Sequence, residues 1–399
     1  MKTIKYGGSY AGFAEWWALV KSVTKSVWTG NWQTGPETKK FEEELAKDMG
    51  VKHAVMTSSG SCAGLLALAS LELNEGDEVI IPAVTFPTIF NMILQLPYKL
   101  VPVVVDCSPS TNNIDLDKLE KMKVSKKIKA IIAVHILGNP VDMPRLMKWA
   151  RKHKIKVIED NCDGYGTTIN GKMAGSFGDI SFTSTHAAHI ITTGVGGVVF
   201  TNDDYLMQNV RMYRDWGRQA NTTKPNTHKE LPADYNPRFI YEKIGWNFQI
   251  LELQSAMGRV QLRKAKEIKK LRMKNYECLI WRLPISSVST PVNHDVCWFA
   301  LPLISKDRAR LTKHLEAHGI ETRSMMSGDI TKHPAYANTK YRIGNKLTGA
   351  DKILKESFWI SCHPSLKKSD LDYIVKVFND FEDDRPLEKW TSGGDCDNL

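Results

Sequence analysis

Short runs of β-branched residues alternate with helical segments along the first half of the chain. Such runs lie at residues 78–86, 100–106, 128–140 and 155–163, each separated from the next by helical or turn-rich sequence. A helix precedes them, because Pro36 suits a first helical position, apolar residues follow at helical spacing, and Gly50 ends the pattern. This alternation predicts an α/β protein with a mainly parallel sheet that helices cover on both faces.

Residues 51–57 form a further predicted strand, which leads into a turn of small residues and then into an apolar helix. This order directs several backbone N–H groups and the positive end of the helix toward one place, which suits a phosphate group. The pattern is not specific, because small residues also open helices to allow close packing.

The polar and aromatic residues that end the apolar runs are candidates for a ligand site. Ligands of parallel α/β sheets bind beyond the carboxyl ends of the strands, so these residues are predicted to converge on one crevice: Phe86, His135, Asp160 and Asp163. An unpaired carboxylate at the end of a buried strand is costly. Asp160 is therefore expected either to meet a cationic ligand or to cap the next helix.

Composition narrows the classes of protein that the chain can represent. No apolar run approaches the roughly 18 residues of a membrane span, so we expect no membrane association. Seven cysteines are scattered singly, which favours a reducing compartment, the cytoplasm, over a disulfide framework or a metal site. The net charge of +10 gathers partly in residues 121–129 and 262–275. Solvated helix faces explain these clusters without nucleic-acid binding, and a positive field also suits an anionic small substrate.

Residues 178–202 combine two short strands with a glycine-rich turn and read G-D-I-S-F-T-S-T-H-A-A-H-I-I-T-T-G-V-G-G-V-V-F-T-N. This stretch resembles the cofactor-lysine segment of the sugar aminotransferase family named for DegT, DnrJ, EryC1 and StrS, which commonly reads S-F-H-A-T-K-N-L-T-T-G-E-G-G. In that family the lysine holds pyridoxal phosphate as a Schiff base. The lysine position here is His189, and the positions that agree are Ser184, His186, Thr192, Thr193, Gly194, Gly196 and Gly197.

The resemblance implies the fold of a fold-type I, pyridoxal phosphate-dependent transferase, similar to aspartate aminotransferase. Its large cofactor-binding domain, with a mainly parallel seven-stranded sheet, is expected at residues 31–265. A smaller C-terminal α+β domain is expected at residues 266–382. Residues 1–30 would form an irregular or partly helical arm, and the polar residues 383–399 a disordered tail.

The resemblance also implies which residues hold the cofactor. Gly60 and Ser61 would hold its phosphate, Ser184 would be a further cofactor contact, and Asp160 would pair with the pyridine nitrogen. Phe86 would stack on the ring, unless it is an ordinary core residue. Asn247, in the segment G-W-N-F, would reach the phosphate of the neighbouring subunit, which implies a homodimer with shared active sites. Asp163 stands near the ring hydroxyl, where the acid is typical of one branch of the family.

That branch is the NDP-4-keto-6-deoxyhexose 3-dehydratases, which residues 319–336 and 358–366 also resemble. Imidazole, with a usual pKa of about 6.5, cannot hold the cofactor covalently. We therefore expect pyridoxamine phosphate to bind as a free amine and His189 to act as general acid and base at C3 of the sugar. A nucleotide-sugar aminotransferase and a non-catalytic cofactor-binding protein are the alternatives.

Residues 219–239 occupy the place where one dehydrase of this branch carries a four-cysteine iron–sulfur site. They contain no cysteine, so we expect no iron–sulfur cluster. The dehydrated product would then leave by hydrolysis, and an amino donor, glutamate, would regenerate the amine form of the cofactor. The candidate contacts for the nucleotide sugar or for the carboxylate of the donor are His186, Arg218 and Arg323.

Overall fold

The structure is a computed structural model that describes residues 3–219, 228–232, 234–290 and 294–382. The predicted tail, residues 383–399, and most of the first half of the insert at 219–239 lie outside the described residues. The helices are α1 Phe13–Thr29, α2 Pro36–Met49, α3 Gly60–Ala69, α4 Pro87–Gln95, α5 Leu116–Lys121, α6 Met143–His153, α7 Asp204–Arg214, α8 Glu252–Ile280, α9 Arg308–Ala317, α10 Thr348–Glu356 and α11 Lys368–Glu382. Among these residues no helix has the length and apolar character needed to cross a membrane.

The strands form one large sheet and two small ones. Their bounds are β1 His53–Thr57, β2 Glu78–Pro82, β3 Val101–Val105, β4 Ile128–Val134, β5 Lys156–Asp160, β6 Thr168–Ile169, β7 Lys172–Met173, β8 Ile180–Ser184, β9 Gly197–Thr201, β10 His294–Asp295, β11 Leu301–Ile304, β12 Thr322–Ser324, β13 Arg342–Ile343 and β14 Ser357–Ile360.

The large sheet has the strand order β1-β9-β8-β5-β4-β2-β3-β13. Pairing is parallel from β8 to β13 and antiparallel where β9 meets β8 and β1. The predicted mainly parallel sheet of seven strands is confirmed for residues 53–201. An eighth strand, the two-residue β13, joins its edge from the C-terminal part of the chain.

Successive residues of the central strands contribute to opposite faces of the sheet. Ile131 packs in a cluster with Leu146 and Trp149 of α6, whereas its neighbour Ile132 packs in a cluster with Leu66 of α3. Side chains alternate across a strand, so a continuous apolar run buries both faces of the sheet beneath helices. The polar residues that follow each strand are thereby left at the edge where the strands end.

Helix α8, 29 residues long, connects the large sheet to the C-terminal part, where β11, β14 and β12 form an antiparallel sheet beside α9 and α11. The predicted domain boundary at residues 265/266 falls within this helix.

The N-terminal arm contains a regular helix, α1, preceded by an extended segment. Ile4 pairs with Ile320 of the C-terminal part, and the Gly8 carbonyl accepts a hydrogen bond of 3.0 Å from His363 Nε2. A Cβ on Gly7 would lie 3.5 Å from that of Ala188, the residue before His189. The arm therefore passes directly beside the predicted active-site stretch.

Candidate active site

The turn between β1 and α3 forms a tight cradle of backbone N–H groups. A Cβ on Gly60 would lie 2.6 Å from Ser184 Cβ, and one on Gly197 would lie 2.2 Å from the Ser59 carbonyl oxygen. Only glycine fits these two positions, because a real side chain would force the backbones apart. Ser59 caps α3 by accepting a hydrogen bond of 3.1 Å from the Cys62 N–H. The start of α3 thus faces Ser184, which suits an anion at this end of the helix.

The start of α4 lies beside this cradle. Ser61 Oγ and Thr88 Oγ1 are 2.8 Å apart, which joins the first turns of the two helices. Phe86, immediately before α4, is 58% exposed although it lies between buried elements. An ordinary core position is excluded for Phe86 within one subunit, and its ring is open to contact a planar ligand.

Asp160 ends β5 at the carboxyl edge of the sheet and is 6% exposed. Its carboxylate accepts a hydrogen bond of 3.0 Å from the Cys162 N–H, and no cationic side chain of the described residues forms an ion pair with it. Burial raises the pKa of Asp160 above its usual range. A cationic ligand group would stabilise this carboxylate, as the protonated nitrogen of a pyridine ring does.

His189 and Asp163 form an incompletely bonded pair at the same edge. His189 Nδ1 lies 3.6 Å from Asp163 Oδ1, and within the described chain this buried nitrogen has no hydrogen-bond partner. Asp163 Oδ2 accepts a hydrogen bond of 3.2 Å from the Leu137 N–H. Burial and the nearby Asp160 raise the pKa of Asp163 to about 7. Burial, with His186 and Arg272 nearby, lowers the pKa of His189 to about 3. The proton of this pair therefore belongs to the carboxyl group, and the imidazole is neutral.

Two residues beside His189 were missed by the sequence analysis. The Phe299 ring lies 5.4 Å from the imidazole ring, and Arg272 is 2% exposed within reach of the same group. Arg272 belongs to the basic stretch 262–275, which was interpreted as a solvated face. Its spacing of four from Ile268 places it on the buried side of α8, and that spacing is a signal the sequence does contain.

The remaining predicted residues lie in two further groups. Arg218 Nη1 stands 3.6 Å from Asp215 Oδ2, and Asp215 also pairs with the exposed Asn247 through the backbone. Arg323, on β12, lies over the Tyr6 ring at 4.1 Å. Aromatic contacts continue from Tyr6 through Trp359 and Phe299 to the His189 ring. His186 is exposed next to these groups.

His135 does not share this open edge. It is buried and its Nε2 lies 3.1 Å from Glu159 Oε2 beneath the sheet edge. The predicted convergence therefore holds for Asp160 and Asp163, while His135 belongs to the core.

These residues fit pyridoxal phosphate. The glycine cradle suits its phosphate, the buried Asp160 lacks a cationic partner within the described chain, and an exposed aromatic ring stands nearby. A histidine occupies the place of a covalent lysine. Elsewhere in the described ranges, no cluster of three or more His, Cys, Asp or Glu side chains could hold a metal ion.

The comparison with known families agrees with this geometry. The profile of the DegT/DnrJ/EryC1/StrS aminotransferase family matches residues 17–379. The chain belongs to this family. It shares 36% identity over 376 residues with the lipopolysaccharide biosynthesis protein RfbH of Salmonella typhimurium, covering 87% of this chain and 85% of the relative. It shares 35% identity with a dTDP-4-dehydro-2,6-dideoxy-D-glucose 3-dehydratase of Saccharopolyspora spinosa, covering 87% of this chain and 80% of the relative.

Solved structures of this DegT/DnrJ/EryC1/StrS family confirm the predicted fold class. The E. coli GDP-4-keto-6-deoxy-D-mannose-3-dehydratase with bound hydrated pyridoxal phosphate superimposes with a TM-score of 0.85 at 29% identity, covering 94% of this chain and all of that chain. A structure of GDP-4-keto-6-deoxymannose-3-dehydratase with a trapped PLP–glutamate geminal diamine gives the same TM-score at 30% identity and the same coverage of both chains. The fold is therefore that of the pyridoxal phosphate-dependent aminotransferases.

Proposed function

We propose that the protein is a pyridoxamine phosphate-dependent 3-dehydratase that removes the C3 hydroxyl of a nucleotide-linked 4-keto-6-deoxyhexose. The observation that carries this proposal is the pair of His189 and Asp163 at the place of the family's cofactor lysine. A histidine can move protons but cannot bind the cofactor covalently. The names of three relatives, all 3-dehydratases, support the same activity.

The cofactor would be bound without a covalent bond. Gly60, Ser61 and Ser184 would contact its phosphate, Asp160 its ring nitrogen, and Phe86 its ring face. When bound, pyridoxamine phosphate supplies a primary amine that condenses with the sugar ketone and a ring that accepts electrons. Asp160 preserves that capacity because its negative charge stabilises a protonated ring nitrogen.

His189 would perform the proton transfers through Nε2. Nδ1 is buried toward Asp163, whereas 17% of the side chain as a whole remains exposed. Since its pKa is lowered to about 3, the imidazole is neutral near pH 7 and can accept a proton. It would then donate this proton to the departing hydroxyl group. General acid–base catalysis of this kind contributes about 10²- to 10⁴-fold.

The substrate would be a nucleoside diphosphate sugar. Relatives are named for GDP-linked and dTDP-linked sugars. We assign Arg218, Arg323 and His186 as contacts for the diphosphate or for the carboxylate of the amino donor. Glutamate is the proposed donor, supported by the glutamate adduct in a related structure. The insert 219–239 offers no thiolate for an iron–sulfur cluster. We place the protein in the cytoplasm.

A homodimer with shared sites is part of the proposal. Helix α1 turns polar residues inward, whereas its outward side carries exposed apolar residues: Phe13, Trp16, Trp17, Val20, Val23, Val27 and Trp28. An apolar surface of this size is typical of a protein–protein interface. Asn247 is exposed and would reach the phosphate of the other subunit.

Subunit complementation tests this arrangement. His189→Asn and Asn247→Ala chains, each inactive alone, are unfolded together and refolded as a mixture. If Asn247 acts across the interface, mixed dimers regain one intact site and activity returns. If no activity returns although mixed dimers form, the two residues act within one chain.

The proposed function is tested by absorbance and product analysis. The protein is loaded with pyridoxamine phosphate and treated with borohydride, which should attach no cofactor to a lysine. Addition of a 4-keto-6-deoxy nucleotide sugar and glutamate should then yield the 3-deoxy product by mass spectrometry. Incorporation of labelled glutamate nitrogen into the sugar would favour an aminotransferase instead, and cofactor binding without turnover of GDP-, dTDP-, CDP- or UDP-linked substrates would favour a non-catalytic protein.

A further inference from the structure

Arg272 is a buried cation without a counter-ion. It lies on α8 at 2% exposure, and across the described ranges no carboxylate forms an ion pair with it. Its Nη1 donates a hydrogen bond to the Phe299 carbonyl, and its Nε has no partner among the same residues. The guanidinium carbon lies 5.6 Å from the centre of the Phe299 ring. Burying an unpaired charge is costly, so a purely structural purpose would be better served by an apolar residue.

Phe299 connects this arginine to Asp163. The Phe299 N–H donates a hydrogen bond of 2.9 Å to the Leu137 carbonyl. The Leu137 N–H in turn donates to Asp163 Oδ2 at 3.2 Å. Leu137 adopts a φ of 52°, a left-handed conformation that is strained for a non-glycine residue. The turn that orients the Asp163 carboxylate is therefore strained, and its contact with Phe299 supports it.

The glycine after Leu137 shows how closely the two segments approach. A Cβ on Gly138, which has a φ of 90°, would lie 2.2 Å from the Cys297 carbonyl oxygen. The segment around Cys297 and Phe299 cannot move toward the turn, and the hydrogen bond from the Phe299 N–H to the Leu137 carbonyl opposes movement away from it. Its position sets the position of Leu137 and hence that of Asp163.

Phe299 also contacts the other member of the pair, since its ring lies 5.4 Å from the His189 ring. One residue thus contacts His189 through its side chain and reaches Asp163 through its backbone. The charged and titratable groups around His189 are Asp163 and Cys162 after β5, Asp160 at its end, His186 on the same loop, and Arg272 on α8.

We propose that Arg272 is a positioning residue, which acts through Phe299 to fix the distance and orientation between Asp163 and His189. The expected effect on turnover rests on the proposed function. The contacts of Arg272 and Phe299 involve residues of this chain alone and do not depend on it. Arg272 reaches the reacting atoms only through Phe299 and the Leu137 turn. Its positive charge also favours the ionised form of Asp163 and the neutral form of His189.

The test replaces Arg272 with methionine, which has a similar length and no charge. We expect kcat for dehydration to fall on the order of 10²-fold, because a displacement of about 1 Å at reacting groups has this effect. KM for the nucleotide sugar should stay unchanged, and Arg272→Lys should restore part of kcat. The melting temperature should not fall, because replacing a buried charge by an apolar group is often neutral or stabilising.

Arg308→Met is the matched control, since Arg308 also donates to a backbone carbonyl, that of Ser357, at 3.2 Å, but lies in the C-terminal part. It should leave kcat unchanged. Phe299→Leu is the second variant, which removes the ring between Arg272 and His189. It should reduce kcat without changing KM, and it keeps the test decisive if Arg272→Met does not fold.

A measurement without cofactor or substrate separates this inference from the proposed function. The protein is labelled with ¹³C at histidine Cε1, and the His189 signal is assigned by its loss in His189→Asn. In the wild type this signal should keep its neutral position into the acidic range, whereas in Arg272→Met and Phe299→Leu its titration should move to higher pH. An unchanged His189 titration, or an unchanged kcat, in both variants would overturn the role of Arg272. If the wild type dehydrates no sugar but the titration moves as expected, the proposed function fails and the positioning role stands.

Discussion

Two histidine–carboxylate pairs lie near the carboxyl edge of the same sheet, and they differ in how completely they are bonded. Glu159 accepts hydrogen bonds from His135 Nε2 and from three backbone N–H groups, those of Gly175, Phe177 and Gly178. His135 Nδ1 accepts from the Val141 N–H at 3.2 Å. In contrast, His189 Nδ1 stands 3.6 Å from Asp163 and has no hydrogen-bond partner in the described part of the chain.

The pKa values of the two carboxyl groups are shifted in opposite directions. Burial alone would raise the pKa of Glu159, but His135 and the N–H groups of Gly178 and Gly175 lower it below its usual range. Asp163 has one backbone donor, and its pKa is raised to about 7. The Glu159 carboxylate is held in its ionised form by these donors, which stabilises the fold. The second pair can change its protonation near neutral pH, which is a property that catalysis requires and that stability does not.

The largest expected effect follows from breaking the second pair at its histidine. His189→Asn should reduce dehydration by about 10²- to 10⁴-fold, because the group that transfers the proton is lost. Binding of pyridoxamine phosphate and the melting temperature should be retained. Turnover is measured by mass spectrometry of the sugar product, with His153→Asn on α6 as the control. Full activity of His189→Asn would exclude the histidine from the chemistry.

Breaking the first pair should affect stability instead. In Glu159→Gln an amide NH₂ faces groups that are themselves donors, so the free energy of unfolding should fall by about 3–5 kcal/mol. Urea denaturation measures this change. The control is Glu75→Gln at the exposed ion pair with Lys99, where about 0.5 kcal/mol or less is expected. An equal loss of unfolding free energy in both variants would mean that the hydrogen bonds around Glu159 stabilise the fold no more than an exposed ion pair does.

Changes at Asp160 and Glu159, which are neighbours on β5, should have different effects: the first on cofactor binding and the second on stability. Asp160→Asn removes the charge proposed to pair with the ring nitrogen, so the affinity for pyridoxamine phosphate should fall by about tenfold to hundredfold. Titration followed by absorbance measures the dissociation constant. Glu159→Gln, assayed at a temperature where it is folded, should bind the cofactor like the wild type. Equal weakening by the two changes would contradict the separation.

The smallest expected effect is on the pH dependence of stability, which distinguishes the contribution of His189 from that of Asp163. The pKa of His189 is lowered from 6.5 to about 3, so its contribution to stability is present above 6.5 and is lost as the pH falls toward 3. The pKa of Asp163 is raised from 3.8 to about 7, so its contribution is present below 3.8 and is lost as the pH rises through 7. These opposite slopes partly cancel in the wild type.

A variant that lacks one group of the pair should show the pH dependence of stability that the other group causes. Between about pH 4 and about pH 6.5, raising the pH should stabilise Asp163→Asn relative to the wild type, and it should destabilise His189→Asn relative to the wild type. Urea midpoints at several pH values measure both trends. Parallel pH profiles for all three proteins would show that the two groups do not titrate as the buried pair described above.

The fold could be predicted because its signals are local. Each central strand is a short β-branched run, and each is followed by a helix or turn, so their order alone predicts a mainly parallel sheet. The two-residue strand β13 carries no such pattern, since its pairing with β3 depends on contacts across more than 200 positions of the chain.

The residues of the candidate site also fall into those that the sequence could predict and those that it could not. Resemblance in the glycine-rich stretch identified His189 and Ser184, and strand ends identified Asp160 and Asp163. Their roles stay predictions, as do the domain bounds. Phe299 could not be predicted, because an isolated aromatic residue looks the same in the sequence whether tertiary packing buries it or not. Arg272 was missed because the basic residues around it obscure its helical spacing from Ile268. The bonding of His135 likewise depends on Glu159, which the sequence places at the end of the apolar run of β5.

The exposed residues on the outward side of α1 have a consequence for the tryptophan fluorescence of the protein. Three of the eleven tryptophans of the chain, Trp16, Trp17 and Trp28, lie on α1 and have 44–84% of their surface exposed in a single subunit. Indole in water fluoresces at longer wavelength than indole in an apolar setting. Dilution of the proposed homodimer should therefore shift the emission to the red, so that fluorescence would report its assembly without a label or a substrate.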